Sequence, residues 1–252
     1  MLDPLDTCRF KLVRAQEHFH HLAEVTQDFA AGDGPVELDP DTSIPGEVIL
    51  RVRLPKGPPD PYWATILGDA VQNTRAALDH LVVALVRQAG GKVTTTHKFP
   101  ITSSAANFEH TKKAALKDVD PAAQDQIEFA QPWAYPGPQT NAPLRIIQTL
   151  SNQDKHHMVL PTVLEASRLR GQLAAMGDSI VEVLQERLDQ PVSDGDVIWH
   201  ARFSSEAEDR RAYLLLGTTH QLHFMDWRPS QVDASHRYVR DEVLPRFHRF
   251  FP

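Results

Sequence analysis

Two clusters of polar side chains in this sequence are of the types that move protons and hold anions. The first is Asn73-Thr-Arg75-Ala-Ala-Leu-Asp79-His80. An arginine supplies a fixed cation, an imidazole titrates near neutral pH, and a carboxylate orients either one. The second is Leu150-Ser-Asn152-Gln-Asp154-Lys155-His156-His157, with Arg145 upstream of it. It sets an acid, a cation and a titrating ring in succession. Arg145, Thr149, Asn152 and His156 fall at i, i+4, i+7 and i+11, which is one polar stripe of a helix.

The elements that must position these groups are helices. Residues 62–89 contain no proline, and Leu67, Val71, Thr74, Leu78, Leu81 and Leu85 form one stripe that alanines and valines widen over most of the circumference. The pattern predicts the central core helix. Arg75 and Asp79, four apart, pair along one face, and His80 lies about 140° around from Arg75, on the side of Asn73. Unpaired burial of such groups would cost several kcal/mol, so the first cluster reads either as an internal salt bridge that fixes packing or as a site. The second cluster sits on a helix expected from residue 141 or 142 to about 156. Lys155 and His156 in its last turn also suit a C-terminal cap that complements the helix dipole. Two polar sets on apolar helices cost least when they satisfy each other, so Arg75, Asp79 or His80 is expected within hydrogen-bond reach of Arg145, Asn152, Asp154 or His156.

Around them, a first helix is expected over residues 8–31 and a strand over 47–54, broken by the prolines that follow. After Gly90-Gly91 come short helices and turns anchored by Phe108, Leu116, Ile127 and Phe129. The last third changes character. A strand is expected from 158 to 166, Asp194-Gly195 reads as a tight turn between 190–192 and 197–203, and 211–216 and 220–227 read as two strands joined at Gly217-Thr-Thr. Residues 178–189 suit helix and strand alike. A closing helix runs from about 230 to 250 and breaks before Pro245. The sum is an α+β chain, a single domain with a mainly helical core over 1–157 and a small antiparallel sheet with a terminal helix over 158–252.

Composition bounds the rest. The chain of 252 residues is 41% hydrophobic and 23% charged, which is ordinary globular usage. One cysteine, Cys8, rules out an internal disulfide framework and a cysteine-based zinc site. The acidic opening and the lack of a long apolar run point to a cytoplasmic protein without a membrane span. A formal net charge of −7 argues against broad duplex-DNA binding. Arg237, Arg240, Arg246, His248 and Arg249 make the tail basic, read as the solvated face of a terminal helix. His18, His20 and His21 have ligand-like spacing, but no H-E-x-x-H, Walker loop, G-x-G-x-x-G or G-x-S-x-G is present, and no cofactor or metal is expected.

The layout Asn73-x-Arg75-x-x-Leu78-Asp79-His80, Phe99-Pro100-Ile101 and Asn152-x-Asp154-Lys155-His156 resembles a widespread group of bacterial proteins, a likeness that carries no activity with it. Arg75-x4-His80 also resembles the R-x4–6-H signature of HEPN ribonucleases, helical proteins of toxin–antitoxin and phage-defence systems. That resemblance implies a HEPN-like helical bundle, often dimeric, that cuts RNA without metal. His80 would act as general acid or base, Arg75 would stabilise the phosphorane, Asp79, Asp154, Lys155 and His156 would complete the catalytic set, and Asn73, Arg145 and Asn152 would bind. Two other readings stay open: a non-catalytic module binding a small ligand or protein partner, and a metal-dependent enzyme using Asp79, His80, Asp154 and His156.

Overall fold

The computed structural model describes residues 3–31, 34–156, 162–174, 180–187, 190–203, 213–224 and 226–251, with only the backbone for 155–156, 162–174, 180–181, 190 and 213–224. The fold is α+β, with the helices and the strands gathered into two compact units, each discontinuous in sequence. One unit takes Met1–Ala23, Tyr62–Leu160 and Pro229–Pro252, and the other takes Glu24–Pro61 and Pro161–Arg228.

The part of α1 (Asp6–Ala30) that belongs to the helical unit, up to Ala23, buries Cys8, Leu12, Ala15, Phe19 and Leu22. The next helix, α2 (Tyr62–Gln88), buries sixteen of its 27 residues, which makes it the central element. Its end is set by Gly90 at a φ of 73°. The amides of Gly90 and Gly91 return to the carbonyls of Arg87 and Val86 at 3.0 and 2.9 Å. This pattern closes the last turn and needs a left-handed residue at Gly90. Two short helices follow, α3 (Ala105–Ala115) and α4 (Pro121–Phe129), capped by Ser104 and Asp120. Then comes α5 (Pro143–His156).

The chain ends in α6 (Pro229–Tyr238), a π turn over Val239–Val243 and a 3-10 stretch over Leu244–Phe250. The expected break before Pro245 is thus a change of winding. Pro245 has no N–H to give to the ladder, and the Leu244 amide reaches back five residues to the Val239 carbonyl. Phe99, Phe108, Ile127, Leu144 and Phe247 pack with Leu78, Leu81 and Leu85 of α2 in one apolar cluster.

The other unit holds two antiparallel sheets among its described residues. The first orders β1 (Glu37–Asp41), β2 (Glu47–Arg53), β6 (Val197–Phe203) and β4 (Ile180–Glu186) as β1-β2-β6-β4. Residues 178–189, equally suited to helix and strand, are therefore extended where described. Val48, Leu50, Val52, Ile198, Ala201 and Phe203 form its core. The second sheet orders β5 (Gln190–Pro191), β3 (Thr162–Ala174) and β7 (Tyr213–Phe224) as β5-β3-β7.

Three details differ from the sequence expectation. Residues 190–191 pair with Glu165 and Ala166 of β3 rather than with β6. The Asp194-Gly195 turn packs on the end of β2 instead, where the Gly195 amide donates to the Val52 carbonyl at 2.8 Å and Asp194 accepts the Leu54 amide at 2.9 Å. Gly217-Thr-Thr is no turn but the middle of β7, opposite Arg170, Leu169 and Ser167. Two β-branched threonines favour extended backbone, and an irregularity in β3 between Ser167 and Leu169 absorbs the local mismatch. Of the strand expected at 158–166, residues 158–161 lie outside the described residues, and β3 continues beyond it to Ala174.

Candidate functional site

Arg75 and Asp79 do pair, and what they hold is backbone. Arg75 Nη2 donates to the Phe99 carbonyl at 2.8 Å and lies 3.1 Å from Asp79 Oδ1. The same Asp79 oxygen accepts the Phe99 amide at 2.9 Å. Both polar groups of one buried residue are therefore clamped by two side chains one helical turn apart. The next residues are fixed in the same manner by Gln131, whose Nε2 donates to the Pro100 carbonyl at 2.7 Å and whose Oε1 accepts the Thr102 amide at 2.9 Å. The Arg75 side chain is 9% exposed, and burial pulls its pKa below the usual arginine value against the opposing pull of Asp79. The Arg75-x3-Asp79 and Phe99-Pro100 motifs belong together because they form one structural lock.

The second cluster also spends its acid on packing. Asp154 Oδ2 accepts from Gln72 Nε2 at 2.9 Å, and the same amide reaches the Ser151 carbonyl at 3.0 Å. Ser151 Oγ returns a hydrogen bond to Gln72 Oε1 at 3.1 Å. Gly68, one turn earlier on α2, leaves room for the carboxylate, since a Cβ there would overlap Asp154 Oδ1. The two polar helices therefore meet, but through Gly68 and Gln72. Among the described residues no hydrogen bond joins Arg75, Asp79 or His80 to Arg145, Asn152 or Asp154. Asn152 is exposed and accepts from Gln148 at 3.0 Å. Arg145 is exposed, and Asn73 faces α1, where its Oδ1 accepts from Lys11 at 3.2 Å. The side chains of Lys155 and His156, and all of His157, lie outside the described residues.

His80, half-buried like Asn73 and Asp79, is the member of the first cluster that lines a cleft. It shares with Val83, Ala84 and Arg87 one face of α2 at i, i+3, i+4 and i+7, and that face lines a cleft of about 630 Å³. Asp3 and Pro4, which lead into α1, and Thr7 in its first turn also line it. His80 is half-buried and Arg87 exposed, and neither side chain has a hydrogen-bond or ion-pair partner among the described residues. Asp3, by contrast, is tied down: its carboxylate accepts the Leu5 amide at 2.8 Å and Arg9 Nη1 at 2.7 Å, contacts that hold its pKa below the usual value. Arg87 belongs to neither polar cluster of the sequence. Its signal was the i+7 spacing from His80 across two small apolar residues.

Other titratable groups are closed off. Cys8 is buried, and burial pushes its thiol pKa up to about 12, so it is no nucleophile at neutral pH. In the strand unit, Glu47 accepts from His200 Nε2 at 2.7 Å and from Arg202 at 3.1 Å on adjacent strands, which lowers its pKa and occupies both its oxygens. The basic tail is largely engaged as well. Arg237 pairs with Asp233 and Arg240 with Asp241, while Arg246 and Arg249 lie over the rings of Phe129 and Phe250. Among the described residues, no three His, Cys, Asp or Glu side chains gather as metal ligands would, and no helix is long and apolar enough to cross a membrane. No protein-family model, curated protein or solved structure matches the chain.

Proposed function

We propose that the helical unit is a binding module that takes a small anionic ligand in the cleft lined by α1 and the second half of α2. One observation carries this reading. An unpaired guanidinium and a half-exposed imidazole open into the same concavity, while Arg75, Asp79 and Asp154 are committed to packing. A cleft of about 630 Å³ is in the size range of small-molecule sites. Arg87 also complements the dipole at the C-terminus of α2, but that role leaves its fork of donors free for a ligand.

The test is thermal unfolding of the intact chain with inorganic phosphate, adenosine monophosphate and simple carboxylates, each at millimolar concentration. A ligand bound only by the folded state raises the midpoint. At least one of these anions is expected to do so, and Arg87→Gln is expected to abolish the rise without unfolding the protein, because Arg87 is exposed. A panel without any stabilising anion sinks the proposal.

The RNA-cleaving reading retains one specific support: the histidine of Arg75-x4-His80 is the motif residue that faces the cleft. In it, His80 would be the general acid or base, and Arg87 would take the phosphate-stabilising role in place of the locked Arg75. It requires cleavage of single-stranded RNA in EDTA that falls about 100-fold in His80→Ala. RNA left intact by a protein that binds the small anions leaves the binding module as the function.

A further inference from the structure

We infer, resting on the cleft reading above, that the ligand is an elongated monocarboxylate with an apolar body and a hydrogen-bonding group at its far end. The charge balance of the cleft sets the first part. Arg9, which pairs with the cleft residue Asp3 at 2.7 Å, is consumed by it and by Asp6 at 3.1 Å. Arg87 is then the one unpaired cation lining the cleft among the described residues, and it faces the fixed carboxylate of Asp3 and the carbonyl end of α2. A dianionic phosphate would bring two charges to one cation in a field that already carries negative partial charge. A carboxylate matches the single cation in charge, and its two oxygens fit the planar donors of a guanidinium side by side.

The order of residues along α2 sets the rest. Gln88 and Arg87 stand at one end, Val83 and Ala84 in the middle, and His80 at the other end, with Pro4 and Val93 adding apolar wall. Seven residues of helix span about 10 Å. A ligand whose carboxylate meets Arg87 and Gln88 therefore lays its body on Val83 and Ala84 and presents its other end to the His80 imidazole. That ring can donate or accept, so a hydroxyl is a suitable terminal group.

The test is calorimetric titration of the intact chain with 3-phenylpropionate, 3-(4-hydroxyphenyl)propionate, 3-phenylpropylamine and inorganic phosphate. Both carboxylates are expected to bind, the hydroxylated one about fivefold tighter for its additional hydrogen bond. Arg87→Gln should weaken both at least tenfold, and His80→Phe should erase the advantage of the hydroxyl while leaving 3-phenylpropionate bound. Circular dichroism of both variants confirms that they are folded. Binding of phosphate in preference to the carboxylates overturns the ligand class and leaves the cleft reading standing, whereas binding of the amine in preference to every anion overturns both. Carboxylates that bind Arg87→Gln as well as wild type overturn the placement. If nothing in this panel binds and adenosine monophosphate also fails, the cleft reading itself falls.

Discussion

Replacing Asp79 with alanine is expected to lower the unfolding free energy by about 3 kcal/mol, near the lower end of the range for breaking a buried ion pair. The change strands the Arg75 guanidinium, whose side chain is 9% exposed, and leaves the buried Phe99 amide without its acceptor. Asp79 is itself 35% exposed, so water recovers part of its own share and the loss stays below the top of that range. Asp79→Asn keeps an oxygen for the Phe99 amide but removes the charge, so it should lose less than alanine does. Urea denaturation of the two variants decides the matter. A loss below about 1 kcal/mol in Asp79→Ala, the scale of an exposed pair, would mean that the clamp holds nothing and would return Arg75 and Asp79 to the list of candidate site residues.

That clamp shows what was legible in the sequence and what was not. The pairing of Arg75 with Asp79 follows from their spacing on a helix whose apolar pattern is unbroken for 27 residues, and α2 begins and ends within a residue of its expected bounds. Their common partner is a backbone amide and carbonyl at Phe99, 20 and 24 residues away, and no side-chain pattern announces a main-chain partner. The same limit applies to Asp154, whose neighbours at Gln72 and Gly68 depend on how α5 lies against α2.

The strands were harder for a related reason. β2 and β6 align Glu47 with Arg202 and Ile49 with His200, so the ladder joins positions about 150 residues apart that share no local signal. β5 was visible as an extended run, but its partner was not, because a two-residue strand has no period to match. Arg87 was visible as a residue but not as a site. One more positive charge in the last turn of a helix has an ordinary electrostatic use, and only the wall supplied by the start of α1 turns that face into a cleft.

Acid is expected to destabilise the helical unit through His236 by about 3 kcal/mol as the pH falls from about 6.5 to about 4. His236 is fully buried on α6, and its ring stands 5.3 Å from that of Phe19. Its Nδ1 is 3.0 Å from Thr74 Oγ1, while Thr74 donates its one hydroxyl proton to the Ala70 carbonyl at 2.9 Å. The proton of that contact therefore sits on Nδ1, and Nε2 carries a bare lone pair with no partner among the described residues. Protonating Nε2 would place a charge where neither water nor an acceptor receives it. Burial is the main cause that lowers the pKa to about 4, Arg240 and Arg237 add to it, and Asp241 opposes. The unfolded chain binds this proton below about pH 6.5 and the folded chain only below about pH 4. The contribution is therefore complete above pH 6.5 and is lost on acidification, and because the unfolded state holds the extra proton throughout the interval, stability rises with pH across it. His236→Gln keeps an amide donor for Thr74 and removes the titration. Its unfolding free energy should change less than wild type between pH 6.5 and 4.5, while below pH 4.5 the carboxylates shared by both proteins act on each alike. Denaturant melts at a series of pH values give the two curves, and curves that fall in parallel across that interval would show that His236 carries none of the acid sensitivity.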